Sequence, residues 1–243
     1  YNDGSIPTTA GSADVTITGE TTTNSFGRFM GSGDLNADGE TDLIVGASFH
    51  NSSTGRVYVF YNDGSIPTAA SSADVTISGE SSSNFFGKAL VTGDFNADSK
   101  VDLAVGAYNY SSGTGRTYIF YNDGSIPTTA ATADVTITGN AVSDSFGTAL
   151  TSGDVNADSK VDLIVGANGY NSSTGRAYIF YNDGSIPTTA ATADVTITGE
   201  NTSNSFGRAL TSGDMNGDGK VDLIVGATGY TTSTGRAYIY YND

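Results

Sequence analysis

The sequence predicts an all-β fold, a β-propeller of four four-stranded blades. Three observations carry that prediction: a repeat of 60 residues without drift, strand-like apolar patterning inside each repeat, and an abundance of Gly, Ser, Thr and Asn at turns. The string Tyr-Asn-Asp-Gly-Ser-Ile-Pro-Thr opens at Tyr1, Tyr61, Tyr121 and Tyr181, and Tyr241-Asn242-Asp243 begins a further copy. A unit of this size is one supersecondary element that cannot bury its apolar face alone. Residues 1–243 are therefore expected to form one cooperative propeller of four units, 1–60, 61–120, 121–180 and 181–240.

Four strands are expected per unit. Val15-Thr16-Ile17-Thr18 alternates apolar and polar residues, the period of a half-buried strand, and is placed as the outer strand (Ala13 to Thr18). The small-residue run from Phe26 to Gly33 suits the crowded inner position. Leu43-Ile44-Val45-Gly46-Ala47 is continuously apolar, as a strand covered on both faces must be. The run Gly55 to Tyr61 is rich in β-branched and aromatic residues and ends at the turn signal Asn62-Asp63-Gly64. The chain thus begins with an outer strand and ends with the strand Gly235 to Tyr241, so the N-terminal strand is expected to complete the last blade and close the ring. The alternative is that two chains form an eight-bladed ring, a homodimer built from the same strand contacts.

Ten Lys and Arg face 26 Asp and Glu, a formal charge of −16 that repels nucleic acid and anionic membranes. Cations are the natural partners. There is no cysteine, no apolar run long enough for a membrane span, and the opening residues lack the pattern of a signal peptide.

Between the inner strand and the next lies an Asp-rich loop in every unit. Oxygen ligands are expected from Asp34, Asn36, Asp38 and Asp42, with the main-chain carbonyl of Glu40. The counterparts are Asp94, Asn96, Asp98 and Asp102 with the carbonyl of Lys100; Asp154, Asn156, Asp158 and Asp162 with that of Lys160; and Asp214, Asn216, Asp218 and Asp222 with that of Lys220. Hard oxygen donors in this number suit Ca²⁺, about one ion per repeat. The loop opens like an EF-hand, but position 12 is Val45, Val105, Val165 or Val225 instead of Glu, which assigns the bidentate role to the position-9 Asp. Four divalent ions would halve the formal charge of −16. Gly39 and Gly219 stand at position 6, where positive φ is expected, but Ser99 and Ser159 replace them in the second and third loops, which predicts weaker binding there.

Phe26-Gly27, the Asp34 to Asp42 loop, Leu43 to Ala47 and Gly55 to Phe60 together resemble the FG-GAP repeat of integrin α-subunit propellers and related bacterial and fungal proteins. Phe-Gly recurs at Phe86, Phe146 and Phe206, and Gly-Ala at Gly106, Gly166 and Gly226. The Pro that usually follows Gly-Ala is Ser48, Tyr108, Asn168 or Thr228, and the usual seven blades are here four. The resemblance implies structural calcium and an extracellular or cell-surface recognition module with a protein ligand. It implies, as the alternative, a multivalent lectin with sugar pockets between blades, for which Tyr110, Tyr170 and Tyr230, with His50 at the same offset, are candidate contacts. Catalysis is not expected: there is no Cys, and the one His occurs in a single repeat. Arg56, Arg116, Arg176 and Arg236 are expected to pair with a neighbouring Asp or cap a turn. Position 28 varies (Arg28, Lys88, Thr148, Arg208), as at a solvated channel or rim.

Overall fold

A computed structural model describes Ile6 and residues 8–243; the first copy of the opening string, at residues 1–5 and 7, lies outside the described residues. Four antiparallel sheets follow one another along the chain. Blade 1 is β1 (Phe29–Gly33), β2 (Asp42–Ala47), β3 (Arg56–Phe60) and β4 (Val75–Ser78), paired in that order. Blade 2 is β5 (Ala89–Gly93), β6 (Asp102–Ala107), β7 (Arg116–Phe120) and β8 (Val135–Thr138). Blade 3 is β9 (Phe146–Gly153), β10 (Asp162–Ala167), β11 (Arg176–Phe180) and β12 (Val195–Thr198). Blade 4 is β13 (Phe206–Gly213), β14 (Asp222–Ala227) and β15 (Arg236–Tyr240). The outer strand of each complete blade comes from the following repeat, which staples neighbouring units together.

The apolar patterns account for the packing. Ile44, Val57, Val59 and Ile77 on one face of blade 1 meet Phe86, Val105, Tyr118 and Phe120 of blade 2 in one core, and equivalent cores join blade 2 to 3 and blade 3 to 4. Removing such apolar faces from water stabilises by roughly 25 cal/mol per Å². The Phe of each Phe-Gly pair stands edge-on to the aromatics of its own blade: Phe86 lies 5.3 Å from Tyr118 and 6.3 Å from Phe120, ring centre to ring centre. The glycines are where backbones touch. A Cβ on Gly46, Gly106 or Gly166 would run into the carbonyl oxygen of Gly87, Gly147 or Gly207 in the next blade. The two glycines of the motif therefore form a single contact between adjacent blades.

The expected closure of the ring is not formed. Val15–Thr18 makes no ladder with β15; the last sheet has three strands, and Thr18 instead bridges Ala69, as Ser78 bridges Thr129 and Thr138 bridges Thr189. Gly27 and Gly226, which would meet if blade 4 reached blade 1, lack the interblade contact: nothing lies near Gly27, and Gly226 sees only Ala209 of its own blade. The rear face of blade 4 is correspondingly open. Ile239 is 45% exposed where its equivalents Val59 and Ile119 are 0% and Ile179 is 6%. The residues that would pin the closing strand are present in sequence, but strand patterning carries no information on the angle between blades, and that angle decides whether the ends meet.

Candidate metal-binding site

Each Asp loop is a tight turn held by its own side chains. Asp34 accepts the backbone N–H of Asp38 at Oδ1 (3.1 Å) and that of Gly39 at Oδ2 (2.9 Å). Asn36 Oδ1 accepts the same Asp38 N–H at 3.1 Å, so the oxygens of positions 1 and 3 converge on one point. Asp38 Oδ1 accepts from Glu40 N at 2.8 Å, and Asp38 Oδ2 accepts from Asn36 Nδ2 at 2.8 Å. The same bonds recur at Asp94, Asn96 and Asp98, at Asp154, Asn156 and Asp158, and at Asp214, Asn216 and Asp218. In the fourth loop Asp214 also accepts from Gly217 N at 2.6 Å, and these backbone donors, led by Gly219, hold its carboxyl below the usual range.

The position-9 Asp is the buried member of each set. Asp42 is buried and uses both oxygens on backbone, accepting from Leu35 N at 2.7 Å and from Asn62 N at 2.9 Å. Asp102, Asp162 and Asp222 repeat this clamp on Phe95 and Asn122, Val155 and Asn182, and Met215 and Asn242. Each thus ties the start of its loop to the end of the third strand, a role that sequence reasoning missed. Burial is the main force raising the carboxyls of Asp42, Asp102 and Asp162, the latter two to about 6, with the neighbouring loop Asp residues adding to it.

Among the described residues no three Asp, Glu, His or Cys side chains are gathered as a ready metal cage. The donor set nonetheless fits a hard cation. Positions 1 and 3 bring their oxygens to one point, positions 5 and 9 add carboxylates, and a carboxylate oxygen that accepts one N–H keeps a lone pair for an ion.

The backbone of the loops bears out the need for positive φ at position 6: Gly39 has φ 91° and Gly219 88°, while Ser99 and Ser159 are held at 69°. Position 4 is left-handed too, with Ala37 at 58°, Ala97 at 61° and Ala157 at 62°, and only the fourth loop meets it with glycine, Gly217 at 79°. Relieving one such non-glycine position is worth about 1 kcal/mol. Ser99→Gly and Ser159→Gly are therefore expected to raise the midpoint of denaturant unfolding by that amount each and to tighten calcium at their own loops in calorimetry. Unchanged stability in both variants would remove the link between backbone strain and loop strength.

The recurrent arginines pair with glutamate, where an Asp was expected. Arg56 reaches Glu20 at 3.1 Å, Arg116 reaches Glu80 at 3.2 Å and Arg236 reaches Glu200 at 3.0 Å. Asn140 stands in the corresponding place of the third unit, and Arg176 bonds Thr198 Oγ1 at 2.9 Å and the Tyr170 hydroxyl at 2.7 Å. The guanidinium groups of Arg116, Arg176 and Arg236 also cover one ring face of Tyr110, Tyr170 and Tyr230, at 3.8, 3.7 and 3.6 Å from the ring centres. His50 stands 3.4 Å from Glu20. Each residue considered for sugar contact thus has a charged neighbour within the fold, and each of the three Tyr rings is covered on one face.

With this geometry in place, comparison with known proteins is informative. The FG-GAP repeat model matches residues 26–60, 86–120, 146–180 and 206–240. The chain is 32% identical over 224 residues to human phosphatidylinositol-glycan-specific phospholipase D, an alignment covering 83% of this chain and 26% of that protein. It is 33% identical over 167 residues to Drosophila melanogaster integrin alpha-PS2 (65% and 11%), and 36% identical over 160 residues to Rattus norvegicus integrin alpha-7 (63% and 14%). The chain spans about a quarter or less of the length of these relatives. Each matched stretch runs from the Phe of Phe-Gly to the end of the third strand of one blade, and the four of them make this chain a member of the FG-GAP repeat family.

Proposed function

We propose that the chain is a calcium-stiffened, non-catalytic recognition scaffold of the cell surface or extracellular space, with one ion in each Asp loop. The observation that carries this reading is the fourfold convergence of oxygens at loop positions 1 and 3 on the backbone N–H of the position-5 Asp. Bound calcium would add positive charge to carboxylates that accept from backbone N–H groups and from the Asn side-chain amide. The side chains of Asp34, Asn36, Asp38 and Asp42 and the Glu40 carbonyl would hold it in the first loop, with Asp42 also fixing the loop against β3. Kinship with integrin α-subunits supports a protein ligand and an extracellular location. The phospholipase D relatives are enzymes by name, but the alignment covers only a quarter of the human protein. Calorimetric titration of chelated protein tests the scaffold reading: about four calcium ions per chain support it, and no heat of binding at millimolar calcium removes it.

The free edge of β15 and the unpaired Val15–Thr18 are complementary, and we infer that a second copy of the chain joins them. β11 pairs with β12 through Arg176–Thr198, Ala177–Ile197, Tyr178–Thr196 and Ile179–Val195, and the same residue types are available at Arg236–Thr18, Ala237–Ile17, Tyr238–Thr16 and Ile239–Val15. Thr18 makes the bridge to Ala69 that Ser78 makes to Thr129, so Val15–Thr18 runs where the outer strand of a preceding blade belongs. Light scattering is expected to give a mass of two chains; a one-chain mass at high protein concentration excludes the arrangement.

A further inference from the structure

We propose that the mouth of the propeller axis opposite the Asp loops binds a small organic anion, one carboxylate or sulfate group on a body with an apolar face. The four inner strands deliver position 28 of each unit to this mouth. Arg28, Lys88, Thr148 and Arg208 line one pocket of about 280 Å³. They stand at the start of the inner strands, and the Asp loops follow the ends of the same strands, so the two features lie at opposite ends of the axis.

The cations are not committed elsewhere. Among the described residues no ion pair includes Arg28, Lys88 or Arg208, although the chain carries 26 acidic residues. Lys88 donates to Thr148 Oγ1 at 3.4 Å and sits 4.6 Å from the centre of the Tyr108 ring. Burial, together with Arg208 and Arg28, pushes its ammonium below the ordinary lysine range, the state of a cation that lacks its counter-ion. Ser48, 1% exposed, lines the same pocket and its Oγ has no hydrogen-bond partner. A buried hydroxyl without a partner is costly, and an oxyanion would accept from it.

An apolar wall adjoins the cations. Phe49 stands edge-on to Phe85 and Phe85 lies tilted against Tyr108, with ring centres 5.3 Å apart for the first pair and 5.2 Å for the second. These are positions where otherwise near-identical repeats diverge: Phe85 replaces Ser25, Ser145 and Ser205, and Phe49 replaces Asn109, Gly169 and Gly229. Phe85 is held at φ 57°, a conformation that serine tolerates in the other units and that a bulky aromatic resists. A strained residue kept at a pocket wall, beside unpaired cations and an orphaned hydroxyl, is the pattern of a binding site.

The test uses the whole chain in low salt with calcium present, and titrates glucuronate as the organic anion, inorganic sulfate, and glucose as the neutral counterpart. Glucuronate is expected to bind more tightly than sulfate, and glucose not at all. Lys88→Met is expected to weaken glucuronate by about tenfold, the size of one lost charge-assisted contact. Phe85→Ser should weaken glucuronate but leave sulfate unchanged, while the melting temperature stays level or rises, which separates loss of the site from loss of the fold. Absence of glucuronate binding at millimolar concentration overturns the proposal. So does binding that survives Lys88→Met, which would place the anion on calcium in the loops. The calcium titration reads the scaffold function separately, so failure of one leaves the other standing.

Discussion

Chelation of calcium is expected to lower the melting temperature by about 20 °C. An ion present at a hundredfold excess over its dissociation constant stabilises by about 2.7 kcal/mol per site, and four sites reach roughly 10 kcal/mol before the weaker second and third loops are discounted. A chain of this size moves about 2–4 °C per kcal/mol. Thermal unfolding with calcium and with EGTA measures this directly, and a change of less than about 2 °C would reduce the loops to ordinary turns.

The pH dependence of the same experiment has an opposite sign in the two conditions. Asp102 and Asp162 have folded values raised to about 6 from 3.8, so between those limits the folded state binds more protons than the unfolded one. Stability of the chelated protein therefore falls as pH rises from 4 through 6, and this contribution is fully lost above 6. Calcium favours ionised carboxylates, so the loaded protein should gain stability over that range. A chelated protein that grew more stable with rising pH would contradict the burial of these two side chains.

The second large effect is expected from a methyl group. Gly166→Ala places a Cβ against the Gly207 carbonyl oxygen of the next blade, where neither backbone can retreat without parting two packed sheets, and the loss should be about 3 kcal/mol or more. Gly226→Ala is the internal control. It lies at the same position of the last blade, where the nearest atom to the added Cβ is the Ala209 Cβ at 3.3 Å and the nearest backbone oxygen, that of Ala209, is at 3.6 Å, and it should cost about 1 kcal/mol or less in an isolated chain. Denaturant midpoints of the two variants give the comparison, and equal costs would mean that blade 4 packs against a neighbour in solution. A second copy docked there would produce that result, so the pair of variants also reports on association.

Much of this architecture was legible in residues. The period, the buried run Leu43 to Ala47, the failure of the EF-hand pattern at Val45 and the left-handed position 6 each follow from local sequence, because each is a local constraint on one strand or turn. What escaped is relational. The Asp42 clamp depends on where Asn62 arrives 20 residues later, and the Arg56–Glu20 pair spans 36 residues across two strands. Position 28 was readable as a variable channel site, but only the arrangement of four blades around an axis shows that its cations share a pocket with Phe85 and Ser48. Closure failed as an expectation for the same reason: a strand that alternates correctly at Val15 to Thr18 says which face it buries and nothing about which edge will come within reach.

The borrowed outer strand has a consequence for how such a chain can grow. The sequence repeat and the structural blade are out of phase: a unit counted from Tyr61 carries the last strand of one blade, Val75–Ser78, followed by the first three of the next. Inserting or deleting whole periods therefore leaves this phase unchanged. Each added unit donates one outer strand to the blade before it and receives one from the unit after it, with the same residues facing the same register. Blade number is then free to drift by duplication, while the chemistry of the seam stays constant.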